Sequence, residues 1–262
     1  GYSWKAGGNA GTFNKDGVDA GSAAAAGVSD GSITPTACSV GTREGFSIIK
    51  YTSTGSNATV GHGLNATPQL IIVKNTDNNN NWHVYHEALG NTKFLYLDLD
   101  YAADTGAGAW NNTSPTSTVF SLGTGNGTNS SSNHEYMAYC WCNKPGLQKF
   151  GSYTGNADSG GDGPYVELGF RPALVWFKAT TGTQPWNLFD SERGTINPID
   201  EGLLINTTGS EFTGTARVDY LSNGFKVRAP SGGNPNVATT YIYCAWAETP
   251  FHNLYGATGT AR

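Results

Sequence analysis

One stretch of this chain is a diverged copy of another. Thr67–Gly90 (TPQLIIVKNTDNNNNWHVYHEALG) lies over Arg171–Gly194 (RPALVWFKATTGTQPWNLFDSERG) without a gap, at an offset of 104 residues. Six of the 24 positions are identical: Pro68/Pro172, Leu70/Leu174, Lys74/Lys178, Thr76/Thr180, Trp82/Trp186 and Gly90/Gly194. A second block, Tyr136–Pro145 over Tyr241–Pro250, follows at 105; Phe120 and Phe225 share that offset, and Tyr51-Thr52 and Tyr153-Thr154 stand 102 apart. Four ordered matches within three residues of one offset point to a tandem duplication. The expected organisation is a lead-in segment at 1–45, a first repeat at 46–146, a second at 147–251 and a C-terminal tail at 252–262.

Each copy reads as strands. Leu70–Lys74 and Leu174–Lys178 are short apolar runs ending in Lys, the pattern of a buried strand that emerges into solvent. Trp82–His86 and Trp186–Asp190 follow after a polar loop and predict a hairpin. Phe94–Leu99 and Leu203–Ile205 come next, then Val119–Leu122 and Phe225–Val227, and last the Tyr/Trp-rich blocks that end at Pro145 and Pro250. Gly, Asn, Ser and Thr clusters at 75–81, 123–133, 156–163 and 231–236 separate them as loops. Only Ala20–Gly27 hints at helix. The fold class is all-β, with two tandem homologous antiparallel β-sandwich-like repeats; about 100 residues suffice for one sandwich.

Composition narrows the function. Only 13% of residues are charged, while Gly, Asn and Thr contribute 36, 24 and 30. Seven Trp, 13 Tyr and 11 Phe still supply enough aromatic surface for a core. The net charge is −5 and the basic residues are scattered, so no nucleic-acid partner is expected. The longest aliphatic run is Leu70–Val73, far short of a membrane span, so no membrane insertion is expected. A start at Gly-Tyr-Ser-Trp without a signal-peptide pattern predicts a trimmed product or a piece of something longer. The thiols read as buried and free: Cys140 and Cys142 share a strand face about 7 Å apart, awkward for a disulfide, and Cys38 and Cys244 offer no matching zinc spacing.

No catalytic constellation emerges. His83 and His86 fall on opposite strand faces and align with Asn187 and Asp190, so no metal pair repeats; His62, between two glycines, reads as a hydrogen-bonded structural residue. Asp190 and Glu192 align with His86 and Ala88, which excludes a duplicated pair of acids for glycoside hydrolysis. Asp77, Asp158 and Asp162 sit in loops without a defined calcium register. No catalytic residue, metal or cofactor is assigned, and a non-enzymatic role is expected. Trp82, Trp141, Trp186 and Trp246 recur at matched positions and read as core. Tyr101, Trp110, Tyr165, Trp176, Tyr220 and Tyr255 are unmatched; where exposed beside polar loops they would stack on sugars or dock a partner, and Trp110, Trp176, Tyr101, Tyr165 and Tyr220 are the binding candidates.

The strings Gly45-Phe-Ser-Ile-Ile-Lys-Tyr-Thr, Ala58-Thr-Val-Gly-His-Gly-Leu, Trp110-Asn-Asn-Thr-Ser-Pro, Lys149-Phe-Gly-Ser-Tyr-Thr-Gly-Asn, Leu221-Ser-Asn-Gly-Phe-Lys-Val-Arg and Ala245-Trp-Ala-Glu-Thr-Pro-Phe resemble a known family. They are similar to the tandem β-rich domain of tail and virion structural proteins in marine and cyanobacterial bacteriophages, over about residues 40–251. The resemblance implies a place on the virion exterior, and a virion surface or tail-fibre module attached to host-surface glycans. Its implied partners are further copies of itself in a homo-oligomer, often three-fold, other virion proteins and a host cell-surface glycan. Two alternatives stand beside it: a purely structural decoration or assembly subunit, and a secreted carbohydrate-binding or depolymerase domain with two facing carboxylates in a cleft.

Overall fold

The all-β expectation holds. The structure, a computed structural model, describes residues 2–230 and 234–249 and places 38% of the chain in strands against 4% in helix. The chain divides into two compact units, one running to Tyr96 and resuming at Ala103–Asn143, the other taking Leu97–Ala102 and the chain from Lys144 onward. The first contains β1 (Phe13–Lys15), β2 (Val18–Asp19), a helical turn α1 (Ala23–Ala26), β3 (Ala37–Gly41), β4 (Phe46–Thr52), β5 (Ala58–Gly61), β6 (Leu70–Asn75), β7 (His83–His86), β8 (Lys93–Tyr96), β9 (Asp104–Thr105), a second helical turn α2 (Ala107–Trp110), β10 (Val119–Leu122) and β11 (Glu135–Trp141). The second contains β12 (Gln148–Thr154), β13 (Tyr165–Glu167), β14 (Pro172–Ala179), β15 (Asn187–Asp190), β16 (Leu203–Leu204), β17 (Val218–Leu221), β18 (Gly224–Val227) and β19 (Thr240–Ala247).

In the first unit the large sheet runs β2-β1-β3-β4-β11-β6-β7-β8-β9 and a small one pairs β10 with β5. In the second the orders are β12-β19-β14-β15-β16 and β13-β18-β17. The succession β4-β11-β6-β7-β8 thus has the same pattern of connections as β12-β19-β14-β15-β16. Period-2 alternation builds each core. Ile49, Tyr51, Ile71, Val73, Tyr136 and Ala138 of the large sheet cluster with Val60, Phe120 and Leu122 of the small one. In the second unit Tyr153, Val175, Phe177, Tyr241 and Tyr243 cluster with Val166, Phe225 and Val227. In each unit, then, two sheets contribute to one apolar cluster.

The same side-chain device closes both cores. Tyr51 and Tyr136 are directly opposite on β4 and β11, with rings stacked 5.4 Å apart at 12°. Tyr153 and Tyr241 are opposite on β12 and β19, stacked 5.2 Å apart at 7°. Phe120 stands edge-on to Tyr51 as Phe225 does to Tyr153. A buried phenol needs a partner, and loops supply it. Tyr51 donates to Thr128 O at 2.7 Å and Tyr153 to Pro235 O at 2.8 Å; Ser130 N donates to the Tyr136 hydroxyl and Val237 N to that of Tyr241.

Several expectations need correction. The lead-in at 1–45 joins the first unit's large sheet: β3 pairs antiparallel with β4 and β1 pairs parallel with β3. Cys38 and Val40 alternate inward and give that extension its apolar face. The strand expected at Phe94–Leu99 stops at Tyr96, where the chain passes to the second unit. The alanine segment does turn helical, but for one turn only, capped by Ser22 Oγ accepting from Ala25 N and closed by Gly27 at φ 73°. The tail at 252–262 lies outside the described residues.

Lys178 does not emerge into solvent. β14 continues to Ala179, and the side chain is fully buried, Nζ donating to Ala179 O at 3.0 Å and Asp100 O at 3.3 Å. Burial lowers its pKa from 10.5 to about 8, partly offset by Asp100. Because the folded value lies below the unfolded one, wild-type stability rises with pH between about 8 and 10.5. At pH 7, Lys178→Met is expected to be neutral or stabilising by about 1 kcal/mol, since it removes the buried charge along with two hydrogen bonds. Urea denaturation checks this; a loss above about 3 kcal/mol would mean that the bonds outweigh desolvation.

Candidate functional site

Glycines shape a cleft in the first unit. Gly123, Gly125 and Gly127 alternate along the chain after β10, and each lies against another segment. A Cβ on Gly123 would stand 2.1 Å from Ala107 O, one on Gly125 2.8 Å from Gly108 O, and one on Gly127 1.8 Å from the His83 ring. Only glycine allows these approaches. Gly125 N donates to Gly108 O at 2.8 Å and Gly123 N to Ala109 O at 3.0 Å, which holds α2 beside the loop. Between them opens a cleft of about 190 Å³.

Its lining joins two aromatic rings to glycine backbone and to polar side chains at the rim. The rings of His83 and Phe94 lie 5.1 Å apart at 28°, and Tyr96 stands edge-on to both, at 5.0 and 5.4 Å. His83 Nδ1 is 3.0 Å from Asn81 O, a carbonyl that can only accept, so Nδ1 carries the proton of the neutral ring. Thr105 and Asn126 stand exposed at the rim. Among the described residues no Asp, Glu, Lys or Arg lines the cleft. A second cleft, of about 370 Å³, lies in the second unit, lined by Thr195, Ile196, Asn197, Asp200 and Glu201 among others; Gly214 N donates to Asp200 Oδ2 at 3.0 Å.

The aromatic candidates divide. Tyr101 and Tyr165 are exposed, at 56% and 44%. Trp176 is partly buried and meets Trp246 edge-on at 5.0 Å. Trp110 and Tyr220 are buried, which corrects their reading as stacking residues. Trp110, the last residue of α2, packs edge-on to Tyr85, and the Tyr220 hydroxyl donates to Phe189 O at 2.7 Å. Tyr255 lies outside the described residues. Of the matched tryptophans, Trp141, Trp186 and Trp246 are buried and Trp82 is partly so.

Several other titratable groups are engaged within the fold. Asp190 Oδ1 accepts from Glu192 N and Arg193 N, and Oδ2 from Arg193 Nε at 2.9 Å; Arg193 also pairs with Glu211. Asp77 accepts from Glu135 N, Asp158 from Gly160 N and Asp162 N, and Asp162 pairs with Lys226 at 2.6 Å, which lowers its pKa. His62 is buried, with Nε2 3.2 Å from Thr116 O and Nδ1 accepting from Leu64 N. All four cysteines are buried and free, and burial raises the pKa of Cys38 to about 11 and pushes Cys140 and Cys244 up further. Among the described residues no group of three His, Cys, Asp or Glu is placed to hold a metal ion, and no helix is long and apolar enough to cross a membrane.

The sequence does not show the cleft, because its walls come from β7, β8, β9, α2 and the loop after β10, each of which reads alone as a strand or a turn. The alternation of Gly123, Gly125 and Gly127 was its one visible trace.

No curated protein and no solved structure matches the chain. The family described as a domain of unknown function (DUF7483) matches residues 14–250, nearly its whole length. The chain belongs to the DUF7483 family.

Proposed function

We propose that the chain is a tandem duplication of two sandwich-like repeats acting as a non-enzymatic module of a virion surface or tail fibre, which attaches to host-surface glycans. The shared strand order and the two tyrosine pairs with their loop clasps support the duplication. The observation that carries attachment is what stands in solvent: Tyr101 and Tyr165, on a chain with Gly/Asn/Ser/Thr-rich loops of low charge. Flat amphipathic rings lose little conformational entropy on binding and take the C–H face of a sugar. Homo-oligomerisation would multiply weak single contacts, and low charge limits sensitivity to salt.

Glycan-array and host-cell binding of the purified chain, with its oligomeric mass in the same buffer, tests this. Tyr101→Ala and Tyr165→Ala are expected to weaken cell binding about fivefold or more while leaving stability within about 0.5 kcal/mol, as for exposed positions generally. A folded oligomer that binds no sugar and no host cell leaves the structural decoration subunit in its place.

One observation favours a second reading, a secreted depolymerase: Asp200 and Glu201 both line the larger cleft, and paired carboxylates are what glycoside hydrolysis uses. Release of reducing ends from a host polysaccharide, abolished by Asp200→Asn or Glu201→Gln, would establish it.

A further inference from the structure

The geometry of the first unit's cleft points to a binding site for a single neutral pyranose ring. This takes from the attachment reading only that the ligand comes from a glycan; the rest follows from the lining. The lining offers the stacked His83 and Phe94 rings, 5.1 Å apart. The facing wall is bare peptide at Gly106, Gly108 and Gly125, which lets a ring approach the backbone. At the rim, the Thr105 hydroxyl and the Asn126 carboxamide have no hydrogen-bond partner among the described residues.

Three ligand classes can be weighed against this lining. A sialic or uronic acid, or a sulfated sugar, would bring a charge into a cleft lined by no Lys or Arg among the described residues, and uncompensated charge is expensive to desolvate. A purely apolar ligand would cover the rim groups and leave them unmatched. A neutral pyranose supplies both halves, a C–H face for the rings and hydroxyls for Thr105 and Asn126. The volume, about 190 Å³, is below the ~300 Å³ at which sites for drug-sized ligands begin, so one ring enters and the rest of a glycan stays outside. The second unit has Asn187 where the first has His83, so this lining is not duplicated.

The glycines provide the test. A Cβ on Gly106 would meet only Phe94 Cε1, at 4.0 Å, and one on Gly108 comes no closer than 3.6 Å to Gly125. Gly106 is extended, with φ 168°, and Gly108 lies in a helical turn, so alanine suits both backbones. Gly106→Ala and Gly108→Ala therefore occupy the cleft without disturbing the fold. Amide chemical shifts would be followed while the chain is titrated with methyl β-glucopyranoside and methyl β-galactopyranoside, with N-acetylneuraminic acid as the charged comparator, and host-cell binding measured in parallel.

The expected result is a saturable shift at residues 105–108 and 125–128 with at least one neutral glycoside, about tenfold weaker or worse in both variants at unchanged melting temperature, and none with the acid. No shift with either glycoside, equal binding by the variants, or equal binding of the acid overturns the site. Host-cell binding without cleft shifts removes the cleft and keeps the attachment reading; cleft shifts without host-cell binding do the reverse.

Discussion

Replacing Asn129 by alanine is expected to destabilise the first unit by about 4 kcal/mol, well beyond the ~1 kcal/mol of a typical substitution. The carboxamide is fully buried and uses its whole bonding capacity. Oδ1 accepts from Thr54 N at 2.8 Å and Gly55 N at 3.3 Å, while Nδ2 donates to Ser56 O at 2.6 Å and Gly123 O at 2.9 Å. It ties the turn after β4 to the end of β10, next to the Thr128 carbonyl that receives the Tyr51 hydroxyl. Truncation strands two donors and two acceptors, each at roughly 1–3 kcal/mol; the partly exposed turn at 54–56 recovers some of this through water. Asn129→Asp should be no better, because its second oxygen would face the Ser56 and Gly123 carbonyls. Asn236 plays the same part in the second unit with two bonds, from Asn156 N and to Ala229 O, so Asn236→Ala should cost about half as much. Urea denaturation of the three variants measures the order; an Asn129→Ala value within about 1 kcal/mol of wild type would remove the brace from the account.

That pair of asparagines marks how far the sequence could be read. Tyr51/Tyr153, Tyr136/Tyr241 and Phe120/Phe225 were visible as a near-constant spacing because strands hold their register, and these rings are what stack in the two cores. Asn129 and Asn236 are 107 apart, beyond that narrow range, and each sits in a run of Asn, Ser, Thr and Gly where one buried carboxamide looks like its solvated neighbours. Trp110 and Tyr220 failed for a different reason. A residue without a counterpart at the repeat offset reads as surface specialisation, but such a residue can also be core: Trp110, at the end of α2, belongs to the first unit's cluster, and Tyr220 lies in the second unit's cluster on β17, which pairs with β18 as a third strand of the small sheet. Lys178 shows the limit of pattern at a strand end. The same Lys-ending run leaves Lys74 partly exposed, with Nζ donating to Asn78 O and Asn80 O of its own loop, and buries Lys178. What surrounds the end of a strand is set by distant chain, here Leu97–Ala102, and not by the strand.

His62 makes the protein acid-sensitive in a window that its burial defines. The ring is inaccessible to solvent, and desolvation lowers its pKa from 6.5 to about 4, with the Thr116 carbonyl partly opposing the shift. That carbonyl can only accept, so Nε2 carries the proton and Nδ1 takes the Leu64 N–H; a second proton on Nδ1 would set two donors against each other. Since the folded pKa lies below the unfolded one, the unfolded chain binds the extra proton first as pH falls. The fold keeps its full advantage above about pH 6.5 and loses it progressively down to about pH 4, by about 3 kcal/mol at 1.36 kcal/mol per unit. His62→Gln, which cannot titrate, should be less stable at pH 7 but lose about that much less between pH 7 and 4. Denaturant midpoints for both proteins across this range isolate the histidine, because the carboxylates that also titrate there are common to the two. Parallel curves would mean that His62 accepts its proton within the fold, through a local opening at the Gly61–Gly63 turn that leaves the rest of the unit intact.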